Sequence, residues 1–132
     1  MIDKKDIRIL IVDDNRNTRK GLIALLNSFG RRQQLGHAIK IVGEATNGQE
    51  AVSLSQELTP DLIFMDINMP VMDGLEATRI IKRQEKNTKV VILSMHGNMR
   101  NTAINVGADE FVEKGAKEQA IKQVILSGIL SE

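Results

Sequence analysis

The chain has no cysteine, tryptophan or tyrosine, and its only aromatic residues are three phenylalanines among 132 residues. Without cysteine, disulfides, thiolate catalysis and cysteine-ligated zinc are excluded. The two histidines, His37 and His96, are too few for a histidine-based metal site. So few aromatic side chains also argue against a base-stacking surface for nucleic acid.

Charge and hydropathy exclude further classes. The 18 Lys and Arg residues nearly balance the 17 Asp and Glu residues, so there is no strong basic footprint for direct DNA binding. The apolar runs are far shorter than the roughly 20 residues of a membrane helix, and the N-terminal residues MIDKKDIRIL do not resemble a signal peptide. We expect a soluble, cytoplasmic protein that forms one domain over residues 1–132.

Apolar runs alternate with segments of helical period, which predicts a (βα)5 pattern. The predicted strands cover residues 7–12, 39–42, 61–66, 88–94 and 109–113. The predicted helices cover residues 18–29, 75–83, 99–106 and 117–130, with a second helix that starts at Asn47 and Glu50 and stops at Pro60. Gly30 and Gly107 are the expected stops of the first and fourth helices. This alternation implies right-handed crossovers and a parallel sheet with helices on both faces.

Polar side chains follow four of the five predicted strands. They are Asp13 and Asp14 after IRILIV, Asp66 after LIFM, Ser94 after VVIL, and Lys114 after FVE. Because the carboxyl ends of parallel strands share one edge of the sheet, these residues should converge. The sequence therefore predicts a site made of three carboxylates, a hydroxyl and an ammonium.

The three carboxylates suggest a cation. Close carboxylates repel each other by about 4 kcal/mol per contact at an intermediate dielectric constant. Mg²⁺, which prefers oxygen ligands and leaves room for phosphate oxygens, would remove that repulsion. Asp66 could then accept a phosphoryl group as an acyl phosphate. The structural alternatives are that Asp13 and Asp14 cap the first helix and that Asp66 caps a strand end.

A transferred phosphoryl group spreads its charge over three oxygens. The cation, the Lys114 ammonium and the Ser94 hydroxyl would supply one contact each. Taken alone, a residue such as Lys114 is more often a solvated surface lysine, and one such as Ser94 is more often an ordinary strand-end hydroxyl.

The segments ILIVDD, GEATNGQEAV, PDLIFMDINMPVMDG, VVILSMHG and GADEFVEKGA closely resemble the receiver domain of bacterial two-component response regulators. The resemblance covers nearly the whole chain and is strongest to the NarL/FixJ class, whose members usually carry a C-terminal helix-turn-helix domain of the LuxR type. It implies a flavodoxin-like (CheY-like) three-layer α/β/α fold.

The resemblance also assigns roles around the expected metal. It implies that Asp66 is the phosphorylated aspartate and that Asp14 ligates Mg²⁺ directly. Asp13 would hold the metal partly through water, and Asn68 would ligate through its backbone carbonyl.

By the same resemblance, Ser94 is the switch hydroxyl and Lys114 its charge partner. Phe111 would be the aromatic rotamer switch, although a phenylalanine in a short strand is also an ordinary core residue. The expected phosphodonor is a sensor histidine kinase. Phosphorylation would alter the surface of helix four, strand five and helix five, and thereby control a homodimer or an attached DNA-binding domain.

Two features depart from the family pattern. Residues 30–38 (GRRQQLGHA) make a longer connection than usual, which reads as a solvated insertion or a partner contact. Little of the chain follows the last predicted helix, so we expect no output domain in it.

In the loop after strand three, we expect Pro70 to fix φ and Gly74 to adopt a conformation closed to other residues.

Two other functions compete with this hypothesis. Phosphatases of the haloacid-dehalogenase type also use an aspartate nucleophile, but they need a general acid two residues later, where this chain has Asn68. An amide cannot donate that proton, so we expect no turnover enzyme. The remaining alternative is a stand-alone or phosphorylation-independent receiver that acts as an interaction module, against which the presence of Asp66 and Lys114 argues.

Overall fold

The computed structural model describes residues 6–31 and 37–130, which form one parallel sheet of five strands covered by helices. The strands are β1 (Ile7–Val12), β2 (Ile39–Ala45), β3 (Leu62–Met65), β4 (Lys89–Ser94) and β5 (Glu110–Glu113). The helices are α1 (Arg16–Arg31), α2 (Gly48–Leu58), α3 (Gly74–Gln84), α4 (Arg100–Asn105) and α5 (Glu118–Leu130). The strand order β2-β1-β3-β4-β5 confirms the predicted doubly wound α/β fold.

Alternate residues of the central strands point to opposite faces of the sheet, and each face has its own apolar core. On one face, Leu10, Ile63 and Ile92 pack with residues of α2, α3 and α4. On the other, Ile9 and Phe64 pack with residues of α1 and α5. The central strands are buried on both faces, which explains their continuous apolar sequences.

Helix ends follow local side-chain chemistry. The Asn47 side chain accepts a hydrogen bond from the Glu50 N–H at 2.9 Å, so the predicted cap of α2 is confirmed. Gly107 follows α4 with φ of 115°, as expected of a helix stop. The prediction that Gly30 ends α1 is wrong, because the helix continues to Arg31.

The start of α1 corrects another hypothesis. Asn15 precedes the helix, and its side-chain oxygen accepts a hydrogen bond from the Thr18 N–H at 2.9 Å. Asn15 therefore caps α1, and neither Asp13 nor Asp14 has that role. The acidic pair is left for the site at the edge of the sheet.

Strand β2 is three residues longer than predicted, because it continues past Val42 to Ala45. The register against β1 shifts between Ile9 and Leu10, so that Val42 is an extra residue in β2. This bulge and the following Gly43 interrupt the apolar pattern, which is why the sequence suggested an early end. The predicted ends of β3 to β5 and of α3 to α5 differ from the observed ends by at most one residue.

The β3–α3 loop is shaped differently from the prediction. The residue with the left-handed backbone is Val71, with φ of 70°, while Gly74 is absent from the positive-φ residues of the described chain. Gly74 is needed for another reason: a Cβ there would collide with the backbone carbonyl of Asp66. Gly74 thus lets α3 start directly against the predicted site.

Most of the predicted insertion at residues 30–38 lies outside the described residues, as do residues 131–132. Within the part that is described, no helix has the length and apolar character needed to cross a membrane.

Candidate functional site

Three carboxylates meet at the carboxyl end of the two central strands. Asp13 directly follows β1 and Asp66 directly follows β3, and the Asp66 N–H continues the ladder by donating to the Val12 carbonyl at 2.9 Å. With Asp14, they place one carboxylate oxygen each within 4.8 Å of one another. Asp13 and Asp66 are buried, with 4% and 8% of their surfaces exposed, whereas Asp14 faces solvent. The predicted convergence of these three side chains is confirmed.

Lys114 closes the site from the other side. Its Nζ lies 2.9 Å from Asp13 Oδ2 and 3.3 Å from Asp66 Oδ1. The backbone holds it in place, because the Lys114 N–H donates to the Ser94 carbonyl at 2.8 Å beyond the paired ends of β4 and β5. The ammonium therefore bridges two carboxylates instead of being solvated.

The electrostatics of the cluster reflect burial and crowding. Burial raises the pKa of Asp66 above its usual value of 3.8, the charge of Asp13 raises it further, and Lys114 offsets part of the shift. Burial alone would lower the pKa of Lys114, but its hydrogen bond to Asp13 and the charge of Asp66 raise it above 10.5. One ammonium thus faces three carboxylates, which leaves negative charge for a cation to neutralise.

The donor set fits a hard divalent cation. Carboxylate oxygens from three side chains are the ligands that Mg²⁺ prefers, and the exposed Asp14 leaves the site open to solvent on one side. Asp13 Oδ1 accepts from the Asn15 N–H at 2.8 Å, and its Oδ2 contacts Lys114. Both oxygens of Asp13 are therefore already engaged.

Ser94 ends β4 and is almost fully buried, with 1% of its surface exposed. Met65 pairs with Ile92 in the β3–β4 register, so Ser94 lies one residue further along its strand than Asp66 does. Its Oγ accepts a hydrogen bond from the His96 N–H at 3.1 Å. Ser94 thus lies at the same sheet edge, and its hydroxyl hydrogen remains available to donate.

The other two predicted residues are Asn68 and Phe111. Asn68 is exposed in the β3–α3 loop, two residues after Asp66. Phe111 is buried in β5 and belongs to the core under α3 and α4, where it packs in the same cluster as Ala103. Phe111 therefore connects to the site through the strand, and its ring takes no part in the acidic cluster.

Sequence patterns missed one residue that contacts the site. Arg19 of α1 donates from Nη1 to the Asp13 carbonyl at 2.8 Å and from Nε to Glu44 Oε1 at 3.0 Å. A helical arginine is usually solvated, and only its position one turn after the Asp pair could have singled it out. Only 12% of its side chain is exposed.

Comparisons with known proteins agree with this geometry. Residues 9–126 match the family model of the response regulator receiver domain. The chain belongs to this family. It is 36% identical over 121 residues to the transcriptional regulatory protein LiaR of Bacillus subtilis, covering 90% of this chain and 54% of LiaR. The receiver therefore spans about half the length of that relative.

Two solved structures show the same receiver fold. The signal receiver domain of the response regulator NarL from Mycobacterium tuberculosis superposes with a TM-score of 0.82 at 27% identity, covering 93% of this chain and 95% of that one. The CheX-CheY-BeF3-Mg²⁺ complex from Borrelia burgdorferi gives a TM-score of 0.80 at 28% identity, covering 92% and 87%. Together with LiaR, NarL supports the NarL/FixJ-like class for this receiver.

Proposed function

We propose that this receiver is a phosphoacceptor switch in which Asp66 takes a phosphoryl group from a sensor histidine kinase with the help of Mg²⁺. The observation that carries the proposal is the Lys114 ammonium held between Asp13 and Asp66, beside a third carboxylate. A fixed ammonium beside a buried carboxylate suits a phosphoryl group, which carries about two negative charges.

Mg²⁺ would be held by Asp14 and Asp66 directly, by Asp13 mainly through water, and by the backbone carbonyl of Asn68. The partners of both Asp13 oxygens favour the indirect role for that residue. When bound, the ion would neutralise charge on the phosphoryl oxygens. The similar CheX-CheY complex from Borrelia burgdorferi contains BeF3 and Mg²⁺, which supports Mg²⁺ as the ion here.

The chemistry of Asp66 follows from its contacts. Its Oδ1 accepts from the Ile67 N–H at 2.9 Å and contacts Lys114, so Oδ2 is the oxygen that would attack phosphorus. An O–P bond forms, the P–N bond of the donor phosphohistidine breaks, and the imidazole leaves with the electron pair. Lys114 and the Ser94 hydroxyl would each bind a phosphoryl oxygen.

The switch would begin at Ser94. To bind the phosphoryl group, its hydroxyl would leave the His96 N–H and shift the β4–α4 loop. Phe111, buried in β5, would then rearrange and change the surface of α4, β5 and α5. The signal would be the increased population of the conformation that has this changed surface.

The output is proposed from the relatives. LiaR is a transcriptional regulatory protein that continues beyond the region matched here. Control of transcription would follow, through phosphorylation-dependent homodimerisation or through an attached DNA-binding domain. We propose no turnover of small phosphoesters, because Asn68 occupies the position where an aspartyl phosphatase would need an acid.

The test is intact mass spectrometry after incubation with acetyl phosphate. Wild type should gain one phosphoryl group only when Mg²⁺ is present, and Asp66→Asn should gain none. Asp6→Asn is the matched control, because Asp6 precedes β1 at the opposite end of the strand from Asp13. Equal labelling of Asp66→Asn and wild type would show that another residue accepts the phosphoryl group. No labelling of wild type would favour an interaction module.

A further inference from the structure

Arg19 connects three elements at the edge of the acidic cluster. Its Nη1 donates to the backbone carbonyl of Asp13 at 2.8 Å, just beyond β1. Its Nε donates to Glu44 Oε1 of β2 at 3.0 Å, and its own backbone belongs to α1. A guanidinium suits this role because its planar fork donates in two fixed directions.

Glu44 fixes the Arg19 side chain through an ion pair. Lys20 also reaches Glu44, with Nζ 3.3 Å from Oε2, but 54% of the Lys20 side chain is exposed against 12% for Arg19. The hydrogen bond from Arg19 lowers the pKa of Glu44, so the carboxylate stays ionised opposite the guanidinium. Arg19 and Glu44 therefore form a partly buried ion pair with one donor directed at the site.

The carbonyl of Asp13 belongs to the same planar peptide unit as the N–H of Asp14. Fixing that carbonyl fixes ψ of Asp13 and φ of Asp14, and so the direction in which the Asp14 side chain leaves the backbone. Asp13 is held independently by its N–H, which donates to the Ala45 carbonyl at 3.1 Å, and by its side-chain contacts. Asp14 is exposed and depends on this peptide for its orientation.

We propose that Arg19 is a positioning residue that orients the Asp13–Asp14 peptide, so that the Asp14 carboxylate points into the metal site. This inference rests on the proposed function, because it gives Arg19 a part in Mg²⁺ binding. Arg19 acts on the ion only through the backbone, and Glu44 balances its charge.

The proposal predicts the opposite sign from a simple charge effect. A guanidinium near the site repels a cation, so its removal by charge alone would strengthen Mg²⁺ binding. Loss of a positioning contact weakens binding instead, and residues that orient metal ligands typically contribute about 10- to 100-fold in affinity. Arg19→Lys separates the two further, because it keeps the charge and loses the fork.

The experiment is an Mg²⁺ titration of the ¹⁵N-labelled protein followed by backbone amide chemical shifts, which suits a chain without tryptophan. Arg19→Gln and Arg19→Lys should both raise the Mg²⁺ dissociation constant, the first by about tenfold. Lys20→Gln is the matched control: it removes one charge and one contact to Glu44 but none to Asp13, and should leave the affinity within about twofold. Urea unfolding of each variant confirms that the titrated protein is folded.

The outcomes separate the two proposals. Wild type that binds Mg²⁺ while Arg19→Gln binds equally well or more tightly would overturn the role of Arg19 alone. Unchanged affinity in Arg19→Lys with weaker binding in Arg19→Gln would overturn the role of the guanidinium fork, because a single ammonium would then hold the Asp13 carbonyl equally well. Wild type that binds no Mg²⁺ would overturn the proposed function together with this inference. Weaker binding in both Arg19 variants, with Lys20→Gln unchanged, is the result that supports it.

Discussion

The guanidinium of Arg100 lies over the ring of Phe111, with 4.8 Å between its Cζ and the ring centroid. The same side chain donates from Nη1 to the Phe111 carbonyl at 3.1 Å. Arg100 is the first residue of α4 and Phe111 is in β5, so one side chain attaches the short helix to the edge strand. The proposed switch residue is therefore covered by a cation that belongs to the surface it would change.

Arg100→Gln should loosen this attachment. We expect the free energy of unfolding to fall by about 1 kcal/mol, because the cation–π contact and a hydrogen bond are both lost. Amide hydrogen exchange in α4 should become faster than in wild type, whereas exchange in α3 should stay the same. Arg79→Gln is the control, since Arg79 forms an exposed i,i+3 pair with Glu76, and exposed pairs contribute little. Equal effects of the two substitutions would show that the contact with Phe111 contributes nothing of its own.

Asp66 should make stability depend on pH when Mg²⁺ is removed by a chelator. Its pKa is raised in the folded protein, so its contribution to stability is complete below about 3.8 and is lost as the pH rises through the folded value. Asp66→Asn should therefore be more stable than wild type near neutral pH, by a margin that shrinks on acidification. Urea unfolding over a pH series measures the margin. A margin that is independent of pH would contradict the burial of an ionised Asp66.

Mg²⁺ should raise the stability of wild type because it binds the folded state. At a concentration 100 times the dissociation constant, the gain is about 2.7 kcal/mol. Without the ion, Asp14→Asn should be at least as stable as wild type, because it removes one of three crowded carboxylates, but it should lose most of the gain from Mg²⁺. Thermal unfolding with and without Mg²⁺ checks this, and a full gain in Asp14→Asn would remove Asp14 from the ligand set.

Val71 occupies a strained turn. Its φ is 70°, the Met72 N–H donates to the Pro70 carbonyl at 2.7 Å across it, and 82% of the surface of Val71 is exposed. A β-branched residue is disfavoured in this conformation. Val71→Gly should raise the free energy of unfolding by about 1 kcal/mol, even though glycine loses more conformational entropy than valine when the chain folds. Val71→Ala keeps a Cβ and should gain less, and no gain in Val71→Gly would mean that the strain is absent.

Ser55 carries a buried hydroxyl without a hydrogen-bond partner, the only such side-chain atom in the described ranges. Ser55→Ala should stabilise the protein, because an unsatisfied buried hydroxyl costs about 1 kcal/mol or more. Ser53 lies exposed on the same helix, so Ser53→Ala gives the gain from helix propensity alone. Denaturant unfolding should show the larger gain for Ser55→Ala. Equal gains would mean that the Ser55 hydroxyl is satisfied.

Local patterns predicted the element types well and their ends less well. Apolar runs marked every strand, and the Asn47 cap was read correctly because its partner Glu50 is only three residues away. The end of β2 was misjudged at its bulge, because a register shift arises from pairing with β1 and leaves no local signal. The conformation of Val71 was missed for a related reason: the loop between Pro70 and Gly74 forces a shape that valine alone would not choose.

The sequence by itself determined the order of elements and the polar residues at the strand ends, since both follow from short-range periodicity and from the rule that parallel strands share an edge. Only the tertiary structure decided which partners each side chain has. Lys114 lies between Asp13 and Asp66, which are far from it in sequence. Arg19 donates to the Asp13 carbonyl. Such contacts depend on strand order, register and helix placement, which are set by packing of the whole chain.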